Sequence, residues 1–384
     1  MKRKILMFTD FRTAKGKPTS GYGVIAEGLS TALVKSGHEV KIMATSYDDE
    51  EVDYPFAVIP ARYTDLIGLQ IKDIIDGWSP DVLLVMMDMD YQIGLLTNLT
   101  NLSIRYIAIM PIEGEPVLQP WADALIQADS VLTFNLWGQS KLLDKGVMST
   151  VLDIPAPIGV GIAKPDDLKK MHDDIHLDNA FVIMKVADNT TRKNWADTLR
   201  VYSEWSEEKD SILYAVTRDI GIGFNLHELL IEFGAEQSGN STVYKMPCVE
   251  GSHREVRVVS GLSRKEIYWL YNLCDVVLMD TGNEGLGMPI LEAMAIGKPV
   301  IGMDHTSMTE LLGDGHGILM NKGYEYRDTF GNVKRYYPDS NEWKSKLTWC
   351  YENRDQLPEI GKKEHEWIMK RTWMDAIKPL LEVI

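Results

Sequence analysis

The chain has 384 residues, 45% hydrophobic and 25% charged, values typical of a globular protein with room for two domains. Its 56 acidic residues outnumber its 40 basic residues, so the formal net charge is -16. This balance disfavours nucleic-acid scaffolds and anionic membrane surfaces as partners. The three cysteines are odd in number and lack metal-ligand spacing, so we predict neither a disulfide framework nor a metal site.

The N-terminus has a basic start followed by a short apolar run, residues 5–8, that ends at Thr9. A secretory signal needs a longer apolar region, so this run predicts a buried strand. No stretch approaches the roughly 18 consecutive apolar residues of a membrane span. We therefore expect a cytoplasmic protein.

The first part of the chain alternates short apolar runs with longer amphipathic ones. This alternation indicates a parallel sheet covered by helices on both faces. Gly37 and His38 are predicted to end the first helix, because glycine readily adopts the left-handed conformation found after helices. The predicted strands are 5–8, 39–44, 81–87, 104–110 and 130–134, and the predicted helices are 24–36 and 139–145.

The same alternation restarts after a proline-rich segment, 154–159, and a charged run, 164–174, which we interpret as a hinge. The predicted strands are 181–186, 211–216, 255–259, 276–279 and 299–303, and the predicted helices are 195–205, 226–233, 264–274 and one that ends at 296. We predict an α/β protein of two doubly wound domains facing across a cleft, 1–160 and 161–365. Ligands then bind beyond the carboxyl ends of the strands.

The tail, residues 366–384, is a helical pattern broken near Arg371, Thr372 and Trp373. We expect it to cross back to the first domain. A single kinked helix packed on the second domain is the alternative.

The most informative motif is 283–295, where two carboxylates, Glu284 and Glu292, flank a turn with Gly285, Gly287 and Pro289. Proline suits the first turn of a helix, and the glycines let the backbone approach a ligand closely. A helix N-terminus behind such a turn is suited to a phosphate, and the carboxylates to hydroxyl groups at either end of the ligand. The motif therefore predicts a nucleotide-sugar site, with Glu292 in the first helical turn.

This motif, with 297–301 and 310–312 behind it, resembles the C-terminal domain of retaining glycosyltransferases of family 4. These enzymes have the GT-B fold, two Rossmann-like domains that face each other across a cleft. Segment 270–275, the basic pair in 191–194, the glycine loop 20–23 and Trp373 extend the resemblance. It is strong over 260–320 and weak over 1–160.

The resemblance implies transfer of a sugar, with retention at the anomeric carbon, from a UDP-, GDP- or ADP-sugar without a cofactor or bound metal. Glu292 would bind the ribose hydroxyls, Glu284 would lie near the transferred sugar, and Lys193 would neutralise the diphosphate. Cations placed there stabilise the negative charge that develops on the leaving group. The predicted donor-binding residues are Gly21, Tyr22, Gly23, Arg192, Lys193, Gly285, Leu286, Gly287, Met288, Pro289 and Glu292, and the predicted catalytic residues are Glu284, Lys193 and Glu113.

Two positions depart from the family pattern. Members usually carry an arginine a few residues ahead of the lysine, and Asp188 stands at or near that place here, so either Arg192 compensates or phosphate binding is weaker. Many members carry a histidine late in the first domain, whereas segment 109–116 has none and offers Glu113 instead. Asp88, Asp90 and His305 are further candidates that follow predicted strands.

Alternatives from other classes stay open at this point. A sugar-nucleotide epimerase or a glycoside phosphorylase uses the same fold. A nucleotide-sugar-binding protein without turnover is the non-enzyme alternative, favoured by the missing arginine and histidine. The loops near Arg218 and 255–262 are candidates for base selectivity, while the acceptor and the oligomeric state are left open.

Overall fold

The computed structural model describes residues 2–14, 17–47, 53–61, 66–98, 104–164, 166–167, 180–217, 223–239, 242–249, 252–329 and 331–384. They divide into two compact units, Met1–Gly159 with Arg371–Ile384, and Val160–Lys370. Arg218 and most of the predicted hinge, 164–174, lie outside the described residues.

The first unit is built on a parallel sheet whose central strands are buried on both faces. Its strands are β1 Lys4–Asp10, β2 Thr13–Ala14, β3 Lys17–Pro18, β4 Glu39–Thr45, β5 Ala57–Pro60, β6 Val82–Met86, β7 Arg105–Ile109, β8 Ser130–Thr133 and β9 Thr150–Val151. Its helices before the tail are α1 Gly21–Lys35, α2 Ile67–Trp78, α3 Met89–Asn98, α4 Gln119–Leu125 and α5 Leu136–Leu143. The strand order is β5-β4-β1-β6-β7-β8-β9, with β2 and β3 forming a separate antiparallel pair.

Helix α1 begins earlier in the chain than predicted. The side chain of Ser20 caps the helix by accepting the Gly23 N–H at 3.1 Å, so the helix begins at Gly21 and not at the predicted residue 24. At the other end Gly37 adopts a left-handed conformation, and the N–H groups of Gly37 and His38 donate to carbonyls of the last turn. The predicted end of the helix is therefore confirmed.

The second unit carries a larger sheet, mixed at one edge. Its strands are β10 Phe181–Val186, β11 Ser211–Val216, β12 Glu236–Gln237, β13 Val243–Lys245, β14 Arg254–Val259, β15 Val276–Met279, β16 Val300–Met303 and β17 Ile318–Met320, followed by a separate hairpin of β18 Lys322–Arg327 and β19 Lys334–Pro338. Its helices are α6 Trp195–Trp205, α7 Leu226–Glu232, α8 Arg264–Leu273, α9 Met288–Ile296, α10 Ser307–Leu312, α11 Ser340–Glu352 and α12 Leu357–Ile368.

The strand order of this sheet is β12-β13-β14-β11-β10-β15-β16-β17. From β14 to β17 neighbouring strands are parallel, while β12 and β13 add an antiparallel edge that the sequence analysis did not predict. The chain runs outward from β10 through β11 and then returns to the other side of β10 at β15. The order therefore reverses between β10 and β15, which is the place where open α/β sheets bind ligands.

The tail packs with the first unit. After α12, helices α13 Trp373–Ala376 and α14 Lys378–Val383 follow a salt bridge of 2.8 Å between Arg371 and Asp153. Trp373 donates its indole N–H to the carbonyl of Ala156 at 3.1 Å. Its ring also lies against Gly28 of α1, which lacks the Cβ that would collide with it.

Replacing Gly28 with alanine is therefore expected to destabilise the first unit. A Cβ at this position would stand 2.3 Å from ring carbons of Trp373, and overpacking of this kind costs about 1–3 kcal/mol. Gly94→Ala is the matched control, because Gly94 lies in helix α3 with no atom within 4 Å of a built Cβ. Thermal unfolding should show a lower melting temperature for Gly28→Ala only, and equal values for both variants would contradict the described packing.

Candidate functional site

Two loops meet at the point where the strand order of the second sheet reverses. One follows β10 and contains a short 3-10 turn, Thr191–Lys193, and the other follows β15 and leads into α9. The backbone N–H of Gly282 donates to the carbonyl of Arg192 at 2.7 Å, and the Asn194 side chain donates to the carbonyl of Asp280 at 2.7 Å. These bonds hold the predicted basic pair against the predicted glutamate loop.

Glu284 forms ion pairs with both cations of the basic pair. Lys193 Nζ lies 2.5 Å from Glu284 Oε1, and Arg192 Nη1 lies 3.5 Å from Oε2. The Glu284 side chain is only 8% exposed. Burial raises the pKa of this carboxyl, but the charges of Lys193 and Arg192 outweigh it and bring the pKa to about 2. The structure therefore places two predicted catalytic residues in direct contact, with Glu284 ionised at neutral pH.

The backbone of Glu284 is fixed by residues that the sequence analysis did not single out. Its N–H donates to the hydroxyl of Thr306 at 3.1 Å, and its carbonyl accepts from the hydroxyl of Ser307 at 2.9 Å. Thr306 has a φ of 55° and a ψ of -137°, a strained conformation for a residue with a side chain. Strain of this kind is kept at functional sites when the surrounding bonds enforce it. In the sequence, these residues are indicated only by their position, since 305–307 follow the predicted strand 299–303.

The β18–β19 hairpin supports the same loop from another side. The Asn283 side chain donates to the carbonyl of Lys334 at 3.0 Å, and the Tyr336 N–H donates to the carbonyl of Gly282 at 3.4 Å. The ring of Tyr336 also lies edge-on to His305, with 4.8 Å between ring centres. His305 is thus placed beside the glutamate loop, as a neighbour of the hairpin.

The turn before α9 requires glycine at one position. Gly287 caps the helix with a φ of 86°, and a Cβ there would meet Ile290 at 3.0 Å. Gly285 and Leu286 are buried, whereas Met288 and Pro289 are half-buried at the start of the helix. The backbone of the predicted donor loop is thus preorganised by the fold.

Glu292 lies just past the first turn of the helix, whereas it was predicted to be within that turn. Because α9 begins at Met288, Glu292 is its fifth residue and faces α8. There the hydroxyl of Tyr271 donates to Glu292 Oε2 at 3.0 Å. Burial raises the pKa of this carboxyl to about 7, against the smaller lowering effects of Tyr271 and Arg264.

The predicted contact of Glu292 with the ribose makes donor binding depend on the charge of this carboxyl. A carboxyl with a raised pKa is ionised above about pH 7 and protonated below it. Hydrogen bonds to a charged acceptor exceed neutral ones by about 1 kcal/mol, so affinity for a nucleotide-sugar should fall about fivefold from pH 8 to pH 6. Nucleotide-sugars suit this titration because their diphosphate does not change charge in this range.

Calorimetry at the two pH values checks this prediction. Glu292→Gln should bind weakly at both, while Glu359→Gln, an exposed glutamate on α12, should keep the wild-type pH profile. An unchanged pH profile in Glu292→Gln would show that another group titrates.

The first unit holds the remaining predicted residues. Gly21, Tyr22 and Gly23 form the first turn of α1 and not the predicted loop, and the N–H of Gly23 is occupied by Ser20. Tyr22 donates its hydroxyl to Asp88 at 2.5 Å, which joins the polar groups that follow β1 and β6. Glu113 is half-buried in the segment after β7. The structure thus groups Tyr22 with Asp88 in one unit, and Lys193 with Glu284 in the other.

Asp188 stands at or near the place where family members usually carry an arginine, and here it forms hydrogen bonds with nearby residues. The carbonyl of Asp188 accepts the indole N–H of Trp195 at 3.1 Å, and its carboxylate accepts the N–H of Asn189 at 2.9 Å. Arg192 supplies a second cation beside Lys193 instead. This arrangement is compatible with the predicted compensation by Arg192.

Among the described residues, no group of three or more His, Cys, Asp or Glu is placed to hold a metal ion. Over the same residues, no helix is both long and apolar enough to cross a membrane.

Comparison with known proteins agrees with this geometry. Residues 234–341, which contain β15, the glutamate loop and α9, match the family model described as Glycosyl transferases group 1. The whole of this match lies in the second unit. The chain is also 24% identical over 168 residues to the serotype-specific mannosyltransferase WbdA of Escherichia coli, a match that covers 42% of this chain. The matched region spans 19% of that relative's length.

Solved structures resemble the chain along its whole length. HepE of Anabaena, in complex with UDP and glucose, has a TM-score of 0.68 at 17% identity, with 99% of this chain and 98% of that chain covered. Sucrose-phosphate synthase of Thermosynechococcus elongatus has a TM-score of 0.74 at 12% identity, with 100% and 98% covered. The predicted GT-B fold class, with two Rossmann-like domains, is confirmed.

Proposed function

We propose that this chain transfers a sugar from a nucleoside diphosphate-sugar to an acceptor hydroxyl, with retention at the anomeric carbon, as family 4 enzymes do. The observation that carries the proposal is the contact of Lys193 and Arg192 with Glu284 where the strand order reverses. The glycosyltransferase family match over the same loop supports it.

Lys193 and Arg192 are proposed to bind the diphosphate. They pair with Glu284, and a diphosphate bound beside them would share their hydrogen-bond donors. When the bond between the anomeric carbon and the phosphate oxygen breaks, negative charge collects on the terminal phosphate. Fixed cations stabilise that charge without reorganising, which is the main electrostatic route to lowering a barrier.

Glu284 is proposed to lie beside the transferred sugar. Its pKa of about 2 keeps it ionised, so it accepts hydrogen bonds from sugar hydroxyls and favours positive charge on the sugar ring. The acceptor oxygen forms its bond on the face that the leaving group occupied, and the departing phosphate takes the acceptor's proton.

Glu292 is proposed to bind the ribose. It lies just past the first turn of α9 with its carboxylate held by Tyr271, so the two carboxylates flank the helix N-terminus along the chain. The diphosphate would then occupy the space between them. The HepE complex with UDP and glucose makes a UDP-sugar the first donor to test.

A screen of UDP-, GDP- and ADP-glucose and GDP-mannose by thermal shift tests the binding half of the proposal. At least one donor should raise the melting temperature of the wild type, since a ligand that binds only the folded state stabilises it. Product analysis with that donor then tests transfer, and phosphate-dependent cleavage of a disaccharide would favour a phosphorylase instead. Stabilisation without any turnover would favour the binding protein.

Turnover is expected to survive removal of divalent cations. Arg192 and Lys193 supply two positive charges where a metal ion would otherwise neutralise the leaving diphosphate. The donor turnover rate should be the same within about twofold with EDTA and with added Mg²⁺ or Mn²⁺. Loss of activity in EDTA, restored by a metal, would contradict the proposed role of the two cations.

A further inference from the structure

A fully buried lysine lies beneath the candidate site. Lys185 is on β10, and its Nζ donates to the carboxylate of Asp280 at 2.5 Å, to the hydroxyl of Thr198 at 2.6 Å and to the carbonyl of Lys193 at 2.5 Å. The ring of Trp195 covers it, with 4.6 Å from Nζ to the ring centre. All three protons of the ammonium group are thus matched by acceptors.

The buried ion pair between Lys185 and Asp280 is not an efficient way to stabilise the fold. Removing two charges from water costs several kcal/mol, and apolar residues of similar volume often serve a core as well or better. Burial lowers the pKa of Lys185, and the neighbouring carboxylate of Asp280 opposes that effect. The residues that bind Lys185 indicate a role other than stability.

Each partner of Lys185 belongs to a segment that carries the site. The carbonyl it binds is that of Lys193 itself, and Asp280 is the first residue after β15 on the path to Glu284. Thr198, on α6, donates its hydroxyl to the second carboxylate oxygen of Asp280 at 2.7 Å. Asn194 joins the same two segments through the backbone carbonyl of Asp280. The buried ammonium group of Lys185 thus links the loop after β10 to the loop after β15.

We infer that Lys185, Asp280 and Thr198 form a positioning network that sets the ammonium group of Lys193 against Glu284. The inference rests on the proposed function for its effect on turnover. None of the three residues needs to touch the donor. They act through the backbone of the two loops, and misplacement of reacting groups by about 1 Å can cost about 100-fold in rate.

The test removes both charges at once, so that no unpaired charge stays buried. The double variant Lys185→Met/Asp280→Asn is compared with Lys344→Met/Glu204→Gln, which deletes another lysine–carboxylate pair of the same unit at its surface. Each is made in the wild type and in a Lys193→Met background. If the network acts through Lys193, kcat/KM for the donor falls about 10- to 100-fold in the wild-type background and is nearly unchanged without Lys193.

An equal fall in both backgrounds would mean a general structural role and would overturn the inference. Thr198→Val, which removes one hydroxyl at nearly constant volume, gives the same test in case the double variant does not fold. It should show a smaller fall that also disappears without Lys193.

A crystal structure of the folded network variant separates this inference from the proposed function. A displaced Lys193, no longer within hydrogen-bond distance of Glu284, supports the network even if the wild type turns over no nucleotide-sugar. An intact Lys193–Glu284 contact overturns the network even if the wild type is an active transferase.

Discussion

Replacing Lys193 with methionine is expected to lower donor turnover about 100- to 1,000-fold, the range found when one preorganised group that stabilises transition-state charge is removed. Lys193 Nζ lies 2.5 Å from Glu284, at the end of the loop where the leaving diphosphate is proposed to bind. Methionine keeps the length of the side chain and removes its charge. Steady-state release of nucleoside diphosphate measures the effect.

The matched control is Lys363→Met, an exposed lysine on α12. It should keep wild-type turnover. If Lys193→Met also keeps it, the cation that stabilises the leaving group must be another one. If KM rises while kcat is unchanged, Lys193 binds the donor equally in the ground state and the transition state.

Glu284→Gln is expected to have two separate effects. Turnover should fall about 100-fold, because an ionised group beside the reacting sugar is replaced by a neutral one. The free energy of unfolding at pH 7 should fall by about 3 kcal/mol, because Lys193 is left without its buried partner. Glu359→Gln should change neither quantity.

The change in the free energy of unfolding with pH also tests the effect of Glu284→Gln. The pKa of Glu284 is lowered to about 2 from an ordinary value of 4.5, so the wild type gains stability from this carboxylate above pH 4.5. That contribution is lost as the pH falls from 4.5 towards 2. Chemical denaturation at pH 7 and pH 3 should therefore show a smaller difference for Glu284→Gln than for the wild type. Equal differences would mean that Glu284 is not held by its cations in solution.

Much of the second unit follows from local sequence signals. The runs 181–186, 211–216 and 276–279 form the strands predicted for them, since short and mostly apolar runs of that length favour a strand buried on both faces. Gly287 and Pro289 predict the turn and the helix start, because glycine readily adopts a positive φ and the fixed φ of proline suits the first helical turn.

The features that were missed depend on contacts between distant residues. Lys185 and Asp280 are 95 positions apart, and nothing in either neighbourhood indicates that they pair. The β18–β19 hairpin has short strands with mostly charged and tyrosine side chains, so it lacks an apolar run. Glu292 lies further along α9 than predicted because the helix begins at Met288, before Pro289.

Nucleoside diphosphate release from UDP-, GDP- and ADP-sugars tests whether Lys193 and Glu284 form the donor site. With water or an acceptor present, the wild type and Lys363→Met should release nucleoside diphosphate from at least one donor faster than buffer, and Lys193→Met and Glu284→Gln should release it at least about 100-fold more slowly than the wild type. Release at the same rate by all four proteins, or by none with any donor, would contradict the assignment of this site.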